Sequence, residues 1–199
     1  MRLPPTLKPD LKSLTDAELA DWLRRHDQPE YRLGQLLQWV YQRRVAGWDA
    51  MTNLPKSLRE LLAEHFTHRA LELVRKQGAA DTTQKFLWRL TDHSLIESVL
   101  IPANPALYGE ASDRHTLCIS TQVGCAYGCK FCASGLEGWK RNLAVEEIVD
   151  QVLAVERTSG FESRLSSSPA TDDAGQPETR NPKPETRLVN NIVVMGMGE

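Results

Sequence analysis

Residues 116–132 read Thr116-Leu117-Cys118-Ile119-Ser120-Thr121-Gln122-Val123-Gly124-Cys125-Ala126-Tyr127-Gly128-Cys129-Lys130-Phe131-Cys132, and they hold all four cysteines of the chain. Thr116 to Thr121 has the composition of a short strand. The glycine-punctuated run from Val123 to Gly138 that follows cannot sustain regular structure, so it is a loop built around thiols. Beyond it, Asn142 is positioned to cap a helix in which Val145, Ile148, Val149, Val152 and Leu153 form one apolar stripe. Glu146 and Glu147 lie near its positive end and Arg157 near its negative end. Strand, cysteine loop and helix make the first half of a βα unit and place the chain in the α/β class.

Four thiols confined to one segment exclude a disulfide framework distributed over the chain and point to metal binding or redox chemistry. Cys125, Cys129 and Cys132 form a C-x3-C-x2-C motif, close enough in sequence to wrap one centre, with Gly124 and Gly128 letting the backbone curl. Three ligands on an iron–sulfur cubane leave one iron open. A structural zinc site or an electron-transfer cluster would take a fourth protein ligand, and the only spare thiol, Cys118, lies upstream on the strand. Zinc ribbons use paired C-x2-C knuckles, whereas only Cys129 and Cys132 have that spacing here. A thioredoxin-type pair would leave Cys125 unexplained.

Outward from this segment the chain is ordinary: 199 residues, 41% apolar and 25% charged, with a net charge of −2. This composition fits one or two globular domains. The absence of a long apolar run or a charged-then-apolar leader argues against a membrane span or a secreted protein, and a cytoplasmic location is expected. Charge is uneven, with 13 Lys/Arg against 10 Asp/Glu in residues 1–76 and 11 against 16 in the rest. In the basic front part, Thr15 and Glu18 form a capping-box signature. Leu33, Leu36, Leu37 and Val40, then Leu58, Leu61 and Leu62, repeat helical spacing. Residues 12–66 therefore predict a three- or four-helix module, read either as a plain bundle or as an RNA-contacting surface through Arg24, Arg25, Arg32, Arg43 and Arg44.

Lys85 to Leu90 and Leu95 to Ile101, separated by Thr91-Asp92-His93, predict a β-hairpin. Glu97 shares parity with Leu95, Val99 and Ile101, which aims its carboxylate at the less polar side of the sheet or, alternatively, leaves it as a charge facing water. The domain reading is a helical module over 1–76, a hairpin connector over 77–110, and an α/β part over 111–199. Between Ser166 and Arg187 there are four prolines, no large apolar residue and a twice-repeated Pro-Glu-Thr-Arg. A disordered insertion over about 163–186 is expected there. Asn191 to Met195 then predicts a buried-type strand, ending in the tight turn Gly196-Met197-Gly198-Glu199. Because a parallel sheet needs cover on both faces, the 199 residues are expected to be the N-terminal part of a longer protein.

The C-x3-C-x2-C motif after a first strand, with Phe131 before the last cysteine, resembles the radical S-adenosylmethionine (SAM) superfamily. Residues 116–125, Arg141-Asn142-Leu143 and the Met195–Glu199 end resemble its RlmN type, the dual-specificity RNA methyltransferases acting on carbon 2 of adenine in 23S ribosomal RNA and in tRNA. The resemblance implies a helical module and hairpin followed by the start of a partial (β/α) barrel. It implies that Cys125, Cys129 and Cys132 hold a 4Fe-4S cluster whose open iron chelates SAM, and that Gly198 and Glu199 contact SAM. It also implies that Cys118 resolves a protein–RNA adduct by disulfide formation with a methyl-carrying cysteine, and that Glu97 accepts a proton. Partners implied are the two RNAs and an electron donor such as flavodoxin, with the protein a monomer. These 199 residues alone are expected not to complete turnover. A Cfr-type carbon-8 methyltransferase and a non-catalytic metal-bound RNA-binding fragment are the alternatives.

Overall fold

The computed structural model describes residues 8–79, 82–103, 114–127, 129–159 and 188–194. The predicted insertion at about 163–186 and the Gly196–Glu199 turn, with Gly198 and Glu199, lie outside the described residues.

The front part is helical, as its periodicity predicts. Helix α1 (Asp16–Arg25) opens on the capping box: Thr15 Oγ1 accepts from the Glu18 amide at 3.3 Å, and Glu18 Oε2 accepts from the Thr15 amide at 2.8 Å. Two otherwise orphaned donors are thereby satisfied. Helix α2 (Tyr31–Leu37) continues into a wider π turn over Gln38–Gln42 that buries Trp39 and Val40. Helix α3 (Lys56–His65) follows Pro55. Their apolar faces meet around Leu23, Leu36, Met51, Leu54 and Leu62, all almost fully buried.

Strands β1 (Glu72–Gln77), β2 (Gln84–Arg89), β3 (Leu95–Pro102), β4 (His115–Ile119) and β7 (Asn191–Val194) form one sheet in that order. Pairing is antiparallel up to β4 and parallel between β4 and β7. The hairpin β2–β3 is as predicted. Its turn closes with the Leu90 amide on the Ser94 carbonyl at 2.9 Å, and His93 adopts the left-handed conformation at φ 66°. Strand β1 was not legible in the sequence, and it falls within the stretch assigned to the helical module. Every residue of it is exposed, so backbone pairing rather than burial holds it, and no alternation marks it. The β7 strand pairs where expected, but it is not buried: Ile192 and Val194 are about half exposed at the sheet edge.

Helix α4 (Val145–Thr158) lies between the sheet and the helical module. The Asn142 cap is not realised. Asn142 sits in a two-residue strand, β6 (Arg141–Asn142), paired with β5 (Gln122–Val123). The helix starts after Ala144, whose amide donates to Glu147 Oε2 at 2.9 Å. The apolar stripe is split by the two neighbours: Val149 and Leu153 pack into the module core, Ile148 and Val152 pack on the sheet core, and Val145 is exposed.

Charged side chains sit between these layers. Lys12 ion-pairs with Asp10 at 3.2 Å and Asp150 at 3.8 Å, and Asp150 Oδ2 accepts from the Leu71 amide at 2.6 Å. Arg44, read from sequence as an RNA-facing cation, is instead buried against Glu156 at 3.4 Å. Its left-handed backbone, φ 54°, ends the wide turn and turns the chain there. Glu156 also accepts from the Leu188 and Val189 amides at 3.2 and 2.9 Å, so it ties the approach to β7 onto α4.

Candidate metal centre and catalytic face

The register of the sheet decides which side chains share a face. Phe86, Trp88, Ile96, Ser98, Leu100, Leu117 and Ile119 point toward α4 and are buried. The opposite parity carries Lys85, Leu87, Glu97, Val99 and Cys118, with Val99 directly opposite Cys118. Glu97 and Cys118 thus occupy one face as diagonal neighbours on adjacent strands, a spacing of roughly 7–8 Å between Cα atoms in such ladders.

That shared face is open. Leu95 and Ile101, which have the same parity as Glu97, are exposed, and the Glu97 side chain is 38% exposed with Lys85 Nζ 2.7 Å from its carboxylate. Of the two readings of Glu97, the structure agrees with the charge facing water and not with a carboxylate aimed at the packed side. Helix α4 covers the other face of β3, and parity alone could not say which face the helix would take. Lys85, the diagonal neighbour of Glu97 on β2, was not singled out from the sequence. Cross-strand pairing with β2 places it there.

The cysteine loop leaves β4 at its carboxyl end, the edge where α/β sheets gather ligands. Its two arms are tied together at the neck. Gln122 pairs with Asn142 and Val123 with Arg141, and the Lys140 and Leu143 amides donate to the Val123 and Thr121 carbonyls at 2.9 and 2.8 Å. Gly124 has φ +72°, and a Cβ there would lie 1.9 Å from the Gly138 carbonyl oxygen. No other residue permits the two arms to cross so closely. Within the loop the Cys132 amide donates to the Cys129 carbonyl at 3.1 Å. Cys125 is buried, and Cys118, Cys129 and Cys132 are half-buried. Tyr127, Phe131, Leu136 and Trp139 project outward, Phe131 being 94% exposed.

Among the described residues no three metal-ligating side chains are gathered within coordinating reach. The donor set nevertheless suits a soft centre: three thiols on one short arc, the ligand type of iron–sulfur clusters. The residues fit such a group in kind and number.

Side chains not singled out as site residues fix the loop. Arg141, at the exit, donates through Nη1 and Nη2 to both Glu147 oxygens at 2.7 and 2.8 Å and through Nε to Asp92 Oδ2 at 2.8 Å. This hydrogen bond from Arg141 holds the Asp92 carboxyl below the usual carboxylate range, and the two carboxylates raise the guanidinium's own affinity for its proton. At the entrance, Ser120 Oγ donates to the Glu97 carbonyl at 2.7 Å. Gln151 Oε1 accepts from the Ser120 amide at 2.9 Å, and a glutamine on the sheet-facing side of an apolar helix is a signal in the sequence for this support.

On the module surface, Arg43 stacks over Trp39 at 4.1 Å and Arg32 over Tyr31 at 4.8 Å, while Arg24 pairs with Asp21. Among the described residues no helix is long and apolar enough to cross a membrane.

Residues 9–67 match the model of the ribosomal RNA large subunit methyltransferase N-terminal domain of RlmN. The chain is 45% identical over 197 residues to a probable dual-specificity RNA methyltransferase RlmN of Akkermansia muciniphila, covering 99% of this chain and 47% of that protein. It is 40% identical over 193 residues to the dual-specificity RNA methyltransferase RlmN of Desulfosudis oleivorans, covering 97% and 43%. The crystal structure of a radical SAM methyltransferase from Sphaerobacter thermophilus superimposes with a TM-score of 0.71 at 38% identity, covering 96% of this chain and 47% of that one. The chain spans about half the length of the relatives it matches. The helical front is thus similar to the RlmN N-terminal domain, and nearly all of the chain is similar to about half of each RlmN protein and of a radical SAM methyltransferase.

Proposed function

We propose that this chain supplies the RNA-contacting module, the cluster loop and two of the reacting side chains of an enzyme that methylates carbon 2 of adenine in 23S ribosomal RNA and in tRNA. The observation that carries this reading is the shared open face of Glu97 and Cys118, at the end of the sheet from which the three-cysteine loop departs.

Carbon 2 of adenine is electron-poor and offers no lone pair, so ordinary methyl transfer from a sulfonium does not reach it. Cys125, Cys129 and Cys132 would hold a 4Fe-4S cluster, and Gly198 and Glu199 would contact SAM. A cluster held there would supply one-electron reducing chemistry toward SAM. The chain's own residues do the rest. Glu97, facing the open side and steadied by Lys85, takes the proton from the substituted adenine carbon. Cys118, on the same face one strand over, would release the RNA: its sulfur, losing its proton, bonds to the sulfur of the methyl-carrying cysteine as that sulfur's bond to the RNA-bound carbon breaks, and the carbon keeps the electron pair and takes a proton to become the methyl group. The exposed Arg24 and Arg25 and the stacked arginines of the module suit phosphate and unstacked bases. A flavodoxin-type donor, a cytoplasmic location and a monomeric state complete the reading.

The test is anaerobic reconstitution of this chain with iron and sulfide. About four irons and four sulfides per chain, with SAM perturbing the reduced cluster's electron paramagnetic resonance spectrum, is the expected result. Stoichiometric zinc in place of iron would overturn it. Mass spectrometry of RNA treated with the full-length protein separates carbon-2 from carbon-8 methylation.

A further inference from the structure

Gln151 is fully buried on α4, and its primary amide is used completely. Oε1 accepts from the Ser120 amide at 2.9 Å, and Nε2 donates to the Ser120 carbonyl at 2.8 Å. This reciprocal exchange is the pattern by which one strand residue pairs with another, with a side-chain amide standing in for the peptide group of a neighbouring strand. Ser120 is the first residue beyond β4, at the point where the cysteine loop begins, and it is itself buried. The same Oε1 accepts from Ser98 Oγ at 2.9 Å, and Ser98 Oγ accepts from Trp88 Nε1 at 3.1 Å. Ser98 neighbours Glu97 on β3, and the Ser120 hydroxyl donates to the Glu97 carbonyl. One turn earlier on α4, the Glu147 carbonyl accepts from Gln151 Nε2 at 3.4 Å, and the Glu147 carboxylate holds the loop exit through Arg141.

Two turns of one helix therefore hold both ends of the cysteine loop, and the entrance hold reaches directly to the strand of Glu97. We propose that Gln151 is a positioning residue that fixes the entrance of the cysteine loop relative to Glu97 and Cys118. The proposal rests on the reading of the loop as the cluster site, but its physical content, a rigid register between Ser120 and β3, is measurable without any cluster. A buried amide that satisfies the N–H and the C=O of one residue leaves both unpaired when it is removed, and unpaired buried groups open the local backbone.

The experiment compares Q151M with S98A in the full chain by amide hydrogen exchange. Q151M keeps the side-chain volume and removes every bond to Ser120. S98A removes the Trp88 arm of the same network, also buried, and leaves the Ser120 clamp intact. Peptides spanning residues 121–142 are expected to exchange about tenfold faster in Q151M and within about twofold of wild type in S98A, although both variants melt at lower temperature. Should Q151M fail to fold, Q151L, which also removes every bond to Ser120 and carries no titratable group, makes the same comparison. Equal acceleration in the glutamine variant and S98A, or none in the glutamine variant, would overturn the proposal. After reconstitution, the electron paramagnetic resonance line shape of the reduced cluster should change in Q151M and stay wild-type in S98A. A wild-type chain that takes up no cluster would sink the function proposed above, while the exchange comparison would still decide the role of Gln151.

Discussion

Arg141 and Glu147 form a two-point ion pair, each guanidinium Nη on its own carboxylate oxygen at 2.7 and 2.8 Å, between the exit of the cysteine loop and the first turn of α4. The same guanidinium reaches the hairpin turn at Asp92, so one side chain ties the loop exit and α4 to a turn 49 residues away in sequence. A planar fork with five donors can do this, and a lysine ammonium cannot.

Arg141→Lys should therefore lower stability by roughly 1 kcal/mol, a figure kept small because the pair is partly solvent-screened. The difference from wild type should depend on pH. Asp92 has a folded pKa depressed by Arg141, so its share of the stability is present above the unfolded value of about 4 and is lost as pH falls through the lowered folded value. Urea unfolding at pH 7 and pH 3 checks this: the gap should narrow at pH 3.

Glu156→Ala should be far more costly, about 3–5 kcal/mol, because it removes one member of a buried ion pair with Arg44 and the acceptor of the Val189 amide. The double replacement Arg44→Met with Glu156→Leu should recover much of that loss, since both charges of the buried pair are replaced by apolar groups of similar volume. Denaturant midpoints of the three proteins measure the effect.

His68 should titrate below its ordinary value of about 6.5. Burial lowers its pKa first, and the nearby Lys12 lowers it further. Its Nε2 pairs with the Val45 carbonyl at 2.8 Å, and its buried Nδ1 has no hydrogen-bond partner among the described residues. A histidine held neutral in the folded state makes the unfolded chain the better proton acceptor, so stability declines as pH falls below about 6.5 toward the lowered folded pKa. Following the His68 ring protons by nuclear magnetic resonance tests this, and a midpoint at or above 6.5 contradicts it.

Cys125→Ala, Cys129→Ala and Cys132→Ala should each reduce iron uptake on anaerobic reconstitution at least several-fold, because a cubane with two protein ligands is not retained. Cys118→Ala should reconstitute to the wild-type iron content. Iron and sulfide assays on the four variants make the comparison, and equal loss in all four would place Cys118 among the ligands instead.

Much of the fold was readable from local pattern. The capping box at Thr15, the leucine spacing of the module, the hairpin around Asp92 and the strand–loop–helix order around the cysteines each depend on neighbours within a few residues, and such signals survive without tertiary context. Strand β1 was not readable, because an exposed edge strand carries no burial pattern.

The sequence by itself determined the chemistry on offer: three thiols at cluster spacing, a fourth on the strand before them, and a carboxylate on the hairpin. Tertiary structure alone decided how these are placed. It put Glu97 on the open face with Cys118, because α4 packs on the other side of the sheet. It also buried Arg44 against Glu156 and recruited Gln151 and Arg141 to hold the two ends of the loop. Parity along a strand says which residues share a face, but only the packed helix says which face is covered.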